Sequence, residues 1–225
     1  MSYQIKPYGD RALLVEFANE INPFINQQVI QLHTAILSAS LKGVSFVIPA
    51  YSSLTLGFDP AQISFIELKD NIQAFAEQRE EVSVFQQEPI DVPVCYDEEF
   101  GIDLSIVSQE TSLSIPELIA LHQSVVYQVY MIGFLPGFPY LGLLPEALQV
   151  SRKSIPRKQV PAGSVAIAGQ QTGIYPSAAP GGWQIIGRTP LSLFDTQREP
   201  TCLLTAGQQV RFRAISASEF AAYAN

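Results

Sequence analysis

Cysteine and histidine are scarce in this chain of 225 residues, which has two of each. Cys95 and Cys202 are far apart and match no metal-ligand spacing, and the histidines, His33 and His122, lie one in each half. We therefore expect no metal site in this chain. The opening residues MSYQIKPYGD contain no apolar signal region, which together with the few cysteines predicts a reduced, cytoplasmic protein.

The chain also lacks long apolar runs and an excess of positive charge. Lys, Asp, Pro or Gly interrupts each apolar run before it reaches the roughly 18 residues that a membrane helix needs. Basic residues number 13 and acidic residues 21, which gives a net charge of -8. Because nucleic acids and anionic membranes attract a positive surface, we expect neither as a partner.

Two common catalytic signatures are missing as well. The phosphate-binding pattern G-x-x-x-x-G-K-[ST] does not occur, so any use of ATP must depend on an unfamiliar site or on another chain. The hydrolase pattern G-x-S-x-G is also absent. Ser164, which follows Ala162 and Gly163, is better interpreted as the first residue of a strand with the sequence SVAIA.

The first part of the chain is predicted to have the order β-β-α-β-β-α, with strands at 4–7, 12–17, 44–48 and 53–58. Asn22 before Pro23 predicts the start of the first helix and Gly43 its end, while Asp59 predicts the cap of the second helix. A polar stretch predicts a domain boundary near residue 87. We expect residues 1–86 to form a small α+β sandwich, which is ferredoxin-like if the strand after the second helix joins the sheet.

The second part, residues 87–225, is predicted to be a β-barrel or sandwich with few helices. Asp103 is a candidate helix cap, and Ser114 with Glu117 forms a capping-box pattern for a helix through about His122. Everything after this helix is β-like. Short apolar runs between turns predict strands at 125–132, 164–168, 183–187, 202–204 and 209–213.

Glycine and proline concentrate between Met131 and Pro190, which hold nine of the fourteen glycines and eight of the sixteen prolines. This density is typical of turns with a tightly defined backbone, and loops of this kind usually carry binding or catalytic residues. Aromatic residues alternate with these turns and are candidates for the walls of an apolar pocket; they are Phe134, Phe138, Tyr140, Tyr175 and Trp183. An equally good interpretation is a loop packed under the barrel, or a surface that contacts a partner protein.

Basic residues cluster in or beside this segment, at Arg152, Lys153, Arg157, Lys158 and Arg188. A local basic patch in an acidic protein favours a small anionic ligand, such as a carboxylate or phosphate, although a solvated basic face is the plain alternative. Arg157 is a candidate catalytic residue because the stiff segment between Pro156 and Pro161 holds its guanidinium group. Arg188 is the second, because it stands at a predicted strand end from which its side chain can point into a shared pocket. Lys158 is a candidate ligand contact.

Further candidate ligand contacts lie in the same segment. Gln170, Gln171 and Thr172 stand between two glycines and offer hydrogen bonds to a ligand. His122 is either a half-buried structural residue at a helix end or a proton donor, and we include it among the catalytic candidates.

Four segments resemble one known family: CYDEEFGIDL, VYMIGFLPGFPYLGLLP, PRKQVPAGSVAIAGQQTGIYP and PGGWQIIGRTPLSLFD. They are similar to the family of the B subunit of bacterial 5-oxoprolinase, also described as the kinase A inhibitor family and as allophanate hydrolase subunit 1. The resemblance runs over nearly the whole chain. It implies a small N-terminal α/β domain, a C-terminal cyclophilin-like β-barrel, and a partner, the C subunit, with a separate A subunit. The activity implied is the ATP-dependent opening of 5-oxoproline to glutamate.

The resemblance adds ligand-binding roles for Tyr175, Gly181 and Gly182, and supports those of Arg157, Gln170 and Arg188. Two positions depart from the family pattern. Leu143 stands where a second glycine is usual, and Ala179 stands where serine is common, which removes a hydroxyl from the ligand-binding candidates.

The resemblance leaves three functions open, besides prolyl isomerase activity, which a cyclophilin-like barrel alone does not imply. In the leading hypothesis this chain is part of an enzyme and inactive alone, and Arg157, Lys158 and Arg188 neutralise negative charge while ATP activates a small cyclic amide. The second is an inhibitor of a sensor histidine kinase, with the aromatic loops as the docking surface. The third is half of a biotin-dependent carboxyltransferase that acts on urea-like amides.

Overall fold

The structure is a computed structural model that describes residues 3–77 and 88–223. The chain divides into two compact units, Met1–Gln86 and Gln87–Asn225. The predicted boundary near residue 87 itself lies outside the described residues. Within them, no helix is long and apolar enough to cross a membrane.

Over its described residues, 3–77, the first unit is a four-stranded antiparallel sheet with two helices. Its strands are β1 (Gln4–Pro7), β2 (Ala12–Glu16), β3 (Val44–Pro49) and β4 (Ser53–Phe58), and its helices are α1 (Pro23–Ala39) and α2 (Phe65–Glu77). The strand order is β1-β2-β4-β3. Alternate residues of β2 and β4, such as Val15 and Leu56, pack against the apolar stripes of the helices.

Local capping chemistry sets the helix ends of this unit. The Asn22 side chain accepts hydrogen bonds from the Phe24 and Ile25 amides, which confirms the predicted start of α1. The helix ends at Ser40, in the left-handed conformation with φ 47, and the prediction of Gly43 as its terminator was wrong. Asp59 was also a wrong prediction for the α2 cap. It stabilises a turn by accepting from the Ala61 amide at 3.1 Å, while Ser64 Oγ accepts from the first turn of α2.

The second unit is a closed barrel of seven strands. Its strands are β5 (Ile90–Cys95), β6 (Val126–Ile132), β7 (Pro139–Gly142), β9 (Ser164–Ala168), β10 (Gln171–Ile174), β12 (Gln184–Arg188) and β13 (Gln209–Ile215). Around the barrel they follow the order β10-β7-β6-β13-β5-β12-β9. A separate antiparallel pair consists of β8 (Arg157–Val160) and β11 (Ala179–Gly181). The helices are α3 (Leu104–Thr111), α4 (Ile115–Gln123) and α5 (Ala217–Ala222).

The first strand that the structure describes after α2 does not join the sheet of the first unit. This strand, β5, pairs in parallel with β13 and antiparallel with β12. Its last four residues are all buried, as expected for a barrel strand that is covered on both faces. The ferredoxin-like arrangement, which required the strand after the second helix to join the first sheet, is not confirmed by the described residues, and the chain is an α+β protein with a mixed seven-stranded barrel.

Two predictions for the end of the chain were wrong. Residues 202–204 form no strand, and Cys202 makes only an isolated bridge with Phe194. The last element is the helix α5 rather than a strand. Its capping box of Ser216 and Glu219 is visible in the sequence, as is the box of Ser114 and Glu117 that starts α4 as predicted.

Candidate functional site

A pocket of about 300 Å³ opens within the glycine- and proline-rich segment of the second unit. The predicted aromatic residues belong to its lining; they are Phe134, Phe138, Tyr140, Tyr175 and Trp183. Phe138, Tyr175 and Trp183 are at the same time buried in a packed cluster, so the two interpretations of these residues, pocket wall and packed loop, both apply. The ring of Phe138 meets the rings of Tyr175 and Trp183 edge to face, with centroid distances of 5.2 and 5.7 Å. These mutual contacts fix the ring positions before any ligand binds.

Strands β9 and β12 support the walls of the pocket because each contributes residues to two hydrophobic clusters, the barrel core and the aromatic cluster. Val165 and Ile167 of β9 belong to the barrel core, whereas Ala166 and Ala168, on the opposite face of the strand, pack under the aromatic cluster. Their small side chains leave room for the rings. The sequence SVAIA therefore encodes both a barrel strand and the floor of the aromatic cluster.

Gly181 allows Tyr175 to form part of the pocket wall. A Cβ atom at Gly181 would overlap the Tyr175 hydroxyl group, so only glycine fits this place on β11. The Tyr175 hydroxyl oxygen accepts a hydrogen bond from the Trp183 backbone, and burial raises the pKa of this phenol above its ordinary value. Tyr175 is thus a neutral, fixed part of the wall at neutral pH.

We expect Gly181→Ala to lower the free energy of unfolding by about 1–3 kcal/mol, because the new methyl group must displace the Tyr175 ring from a packed cluster. Gly182→Ala is the matched control, since a Cβ at Gly182 would meet its nearest neighbours at 3.6 Å, an ordinary contact distance. Urea denaturation of both variants measures the difference. Equal effects of the two substitutions would contradict the packing role of Gly181.

Two cations complete the pocket lining. Arg152 and Lys153 are lining residues, and the lining includes no carboxylate among the residues that the structure describes. The Arg152 guanidinium lies 5.7 Å from the centroid of the Trp183 ring, a cation–π distance. The Lys153 amide donates to the Gly182 carbonyl at 2.7 Å, which fixes the Lys153 backbone beside the pocket.

Asp103 lies behind this basic wall and is completely buried. It stands at the cap position of α3 as predicted, but its side chain makes no capping hydrogen bond. Instead Oδ2 accepts from the Ile185 amide at 2.7 Å, and Oδ1 accepts from Arg157 Nη2 at 2.6 Å and Lys153 Nζ at 3.4 Å. Through these hydrogen bonds Asp103 connects the start of α3 with β12, with β8 and with Lys153 in the pocket lining.

The predicted site residues divide between the pocket and other places. Tyr175, Gly181 and Gly182 line the pocket. The remaining candidates do not belong to its described lining; they are Arg157, Lys158, Arg188, Gln170, Gln171, Thr172 and His122. Arg157 pairs with Asp103, and Lys158 is an exposed residue of β8.

The other polar candidates have partners elsewhere on the barrel. Arg188 Nε donates to the Ala162 carbonyl at 2.7 Å, and its guanidinium lies 5.9 Å from the centroid of the Phe220 ring. The Gln170 carbonyl accepts from the Leu144 amide at 2.8 Å, and Gln171 starts β10. Their proposed roles in binding or catalysis stay predictions.

His122 lies inside the barrel and not at the pocket. It is completely buried, so the expectation of a half-buried residue was wrong, and its ring stacks on Phe212 with a centroid distance of 4.5 Å. Burial lowers the pKa of His122 to about 3, which keeps the imidazole neutral. Its ring nitrogens lie 2.8 Å from Tyr96 Oη and 3.2 Å from Thr172 Oγ1. A proton donor to a substrate needs access that this position lacks.

No group of three or more candidate metal ligands occurs among residues 3–77 and 88–223.

A family model described as "Carboxyltransferase domain, subdomain C and D" matches residues 3–204. This match spans most of the chain, which is therefore a carboxyltransferase-domain protein.

Curated relatives narrow this class. A protein of Bacillus subtilis (strain 168) named as the B subunit of 5-oxoprolinase is 43% identical over 98% of this chain and 96% of its own length. A protein of the same name from Escherichia coli O157:H7 is 38% identical over 91% of this chain and 92% of its own length. The chain belongs to the family of the 5-oxoprolinase B subunit.

Solved structures of other proteins have a similar fold. The protein TTHA0988 matches with a TM-score of 0.83 and 36% identity over 92% of this chain, which spans only 40% of that longer chain. Urea amidolyase of Kluyveromyces lactis matches with a TM-score of 0.75 over 98% of this chain and 15% of its own length. At 18% identity this second likeness shows the fold alone.

Proposed function

We propose that this chain is the B subunit of an ATP-dependent 5-oxoprolinase, and that it acts with the A and C subunits to convert 5-oxo-L-proline to glutamate. The observation that carries the proposal is the 43% identity with the Bacillus subtilis protein of that name, over nearly the full length of both chains. We further propose a cytoplasmic complex that is inactive without all three subunits, and a barrel of the cyclophilin-like type. This barrel type does not by itself imply prolyl isomerase activity.

The chemistry of the pocket supports a small carboxylate as the substrate. 5-Oxoproline is a five-membered lactam that carries one carboxylate group. Aromatic side chains suit its ring, and Arg152 and Lys153 suit its charge. A volume of about 300 Å³ is at the lower end of the range of small-molecule pockets, which favours 5-oxoproline over ATP.

Activation by ATP suits this reaction because an amide carbonyl is a poor electrophile. Transfer of the γ-phosphoryl group of ATP to the lactam oxygen releases ADP and makes the ring carbon susceptible to water. Addition of water breaks the ring C–N bond and leaves an acyl phosphate, which a second water hydrolyses to glutamate and phosphate, and cationic groups stabilise the charge that develops. We propose that ATP binds only in the complex with the C subunit, since the described pocket suits the smaller molecule. Arg157 and Arg188 are proposed to neutralise charge in that complex.

Coexpression with the A and C subunits tests this function. We expect ATP hydrolysis that depends on 5-oxoproline, and its loss when this chain is omitted. Arg157→Ala and Arg188→Ala are expected to lower the rate by roughly tenfold or more, the effect of removing a group that stabilises developing charge. Arg213→Ala, at an exposed arginine of β13, is the control. Wild-type rates in both test variants would refute the roles of Arg157 and Arg188.

A carboxyltransferase half is the second candidate, because the family model describes a carboxyltransferase domain. Biotin and bicarbonate dependence separates this candidate from the first. If the complex carboxylates a urea-like amide and does not open 5-oxoproline, the second candidate replaces the first. Inhibition of a histidine kinase stays a prediction, and a pull-down with a kinase dimerisation domain tests it.

A further inference from the structure

We infer that the aromatic pocket of this chain alone binds the substrate, with Arg152 and Lys153 contacting its carboxylate and the aromatic walls contacting its ring. This inference rests on the proposed function and adds the place and the mode of binding. It implies that this chain holds the substrate even without ATP or the other two proteins of the complex.

The charge distribution supports a carboxylate rather than a cation or a neutral ligand. Both ionised residues in the described lining are positive. Asp103, the carboxylate that contacts Lys153, is completely buried and already accepts from Arg157 at 2.6 Å. The pocket therefore keeps an excess of positive charge that a small anion can neutralise.

Lys153 has donors to spare for such an anion. Its Nζ atom lies 3.4 Å from Asp103 Oδ1, longer than the roughly 2.7–2.9 Å of a strong charge-assisted hydrogen bond. An ammonium group carries three donors, so one weak contact leaves others for a ligand. Arg152 adds a planar guanidinium that is held over the Trp183 ring and matches a carboxylate in shape.

Phe134 supports a ring-shaped ligand. It lines the pocket with 61% of its surface exposed, and its backbone is in the left-handed region with φ 67. A bulky residue rarely adopts this conformation, and strained residues of this kind concentrate at ligand clamps. Its ring stands edge-on to Phe138 and Tyr175 at the pocket, where a ligand ring would cover its exposed surface.

The single tryptophan of the chain makes this binding directly measurable. Trp183 is the only tryptophan in the sequence and lies in the pocket wall, so its fluorescence reports on this site. We expect titration of the purified chain with 5-oxoproline to give a saturable fluorescence change. The neutral lactam 2-pyrrolidinone is expected to bind at least about tenfold more weakly, because it lacks the group that the cations contact. Equal binding of the two compounds would overturn the assignment.

Arg152→Leu and Lys153→Met are each expected to weaken 5-oxoproline binding about tenfold or more, the usual effect of losing a hydrogen bond to a charged group. Arg152 is exposed, so its variant is expected to fold normally. Arg213→Leu is the matched control, because Arg213 is also an exposed arginine of the second unit and does not line the pocket. Its titration curve is expected to match that of the wild type.

A second readout in the complex separates this inference from the proposed function. With the A and C subunits present, Arg152→Leu is expected to raise KM about tenfold and to change kcat less. An unchanged KM in an active complex, with no fluorescence change, would place the substrate elsewhere while the function stands. Saturable binding in an inactive complex would support the pocket and refute the function. An inactive complex without a fluorescence change would overturn both.

Discussion

Replacing Asp103 with leucine is expected to lower the free energy of unfolding by about 3–5 kcal/mol, the cost of removing one partner of a buried ion pair. Asp103 is completely buried, and its loss leaves the Ile185 amide without its acceptor and Arg157 without its counter-charge. After this substitution the Arg157 Nη2 atom has lost its acceptor. The Nη1 atom of the same side chain is already buried without a hydrogen-bond partner among the described residues, so the guanidinium group has no second contact that could offset the loss. Urea denaturation followed through Trp183 fluorescence measures the effect on the barrel unit.

Two further variants identify the source of this effect. Asp103→Asn keeps an oxygen that accepts from the Ile185 amide and loses only the charge, so we expect a smaller loss of stability. Asp91→Leu removes the partner of Arg211 in an exposed pair with an N···O distance of 2.7 Å. Such exposed pairs contribute little, so a loss as large as that of Asp103→Leu would show that burial is not the cause.

Asp103 also shows where inference from sequence stops. The N-cap of α1 and the capping box of α4 were predicted because their partners lie within three residues. Asp103 has the same local pattern, yet its partners Arg157 and Ile185 are 54 and 82 residues away. The barrel brings these residues together, and contacts that depend on closing a sheet leave no local signal.

The aromatic walls of the candidate site could be predicted from the sequence, whereas the basic residues that face the pocket could not. The aromatic residues could be identified because they alternate with glycine and proline in one segment. Which basic side chain faces the pocket depends on the pairing of β8 with β11, in which Arg157 lies opposite Gly181. In this register Arg157 forms an ion pair with Asp103. Arg152 and Lys153, which precede β8, line the pocket instead.

His122 belongs to a buried network whose protonation can be deduced from its partners. Thr172 Oγ1 donates to the Ala166 carbonyl at 3.1 Å and must therefore accept from His122 Nε2–H. This leaves Nδ1 to accept from the Tyr96 hydroxyl at 2.8 Å. The neutral ring thus satisfies both neighbours, and a second ring proton could bond to Tyr96 Oη only if that hydroxyl turned its own proton away.

Acidification is therefore expected to destabilise the barrel well before most carboxylates titrate. In the unfolded chain His122 has a pKa of 6.5, and burial lowers its folded pKa to about 3. Between these values the unfolded state binds a proton that the folded state excludes. The free energy of unfolding is then fully retained above pH 6.5 and falls as the pH drops towards 3, by about 1.4 kcal/mol per unit. From pH 7 to pH 5 the expected loss is about 2 kcal/mol.

A pair of variants distinguishes this titration from ordinary packing. His122→Phe removes the titrating group but leaves the buried Tyr96 hydroxyl without an acceptor, which costs about 1–3 kcal/mol at pH 7. Adding Tyr96→Phe removes the unpaired donor, so the double variant is expected to recover much of that loss. Both variants should lose the pH dependence between pH 7 and pH 5 when Trp183 fluorescence follows unfolding. A wild-type pH slope in the double variant would mean that another group titrates there. His33, whose pKa burial also lowers, lies in the first unit, whereas His122 and Trp183 lie in the second unit, whose unfolding the Trp183 fluorescence follows.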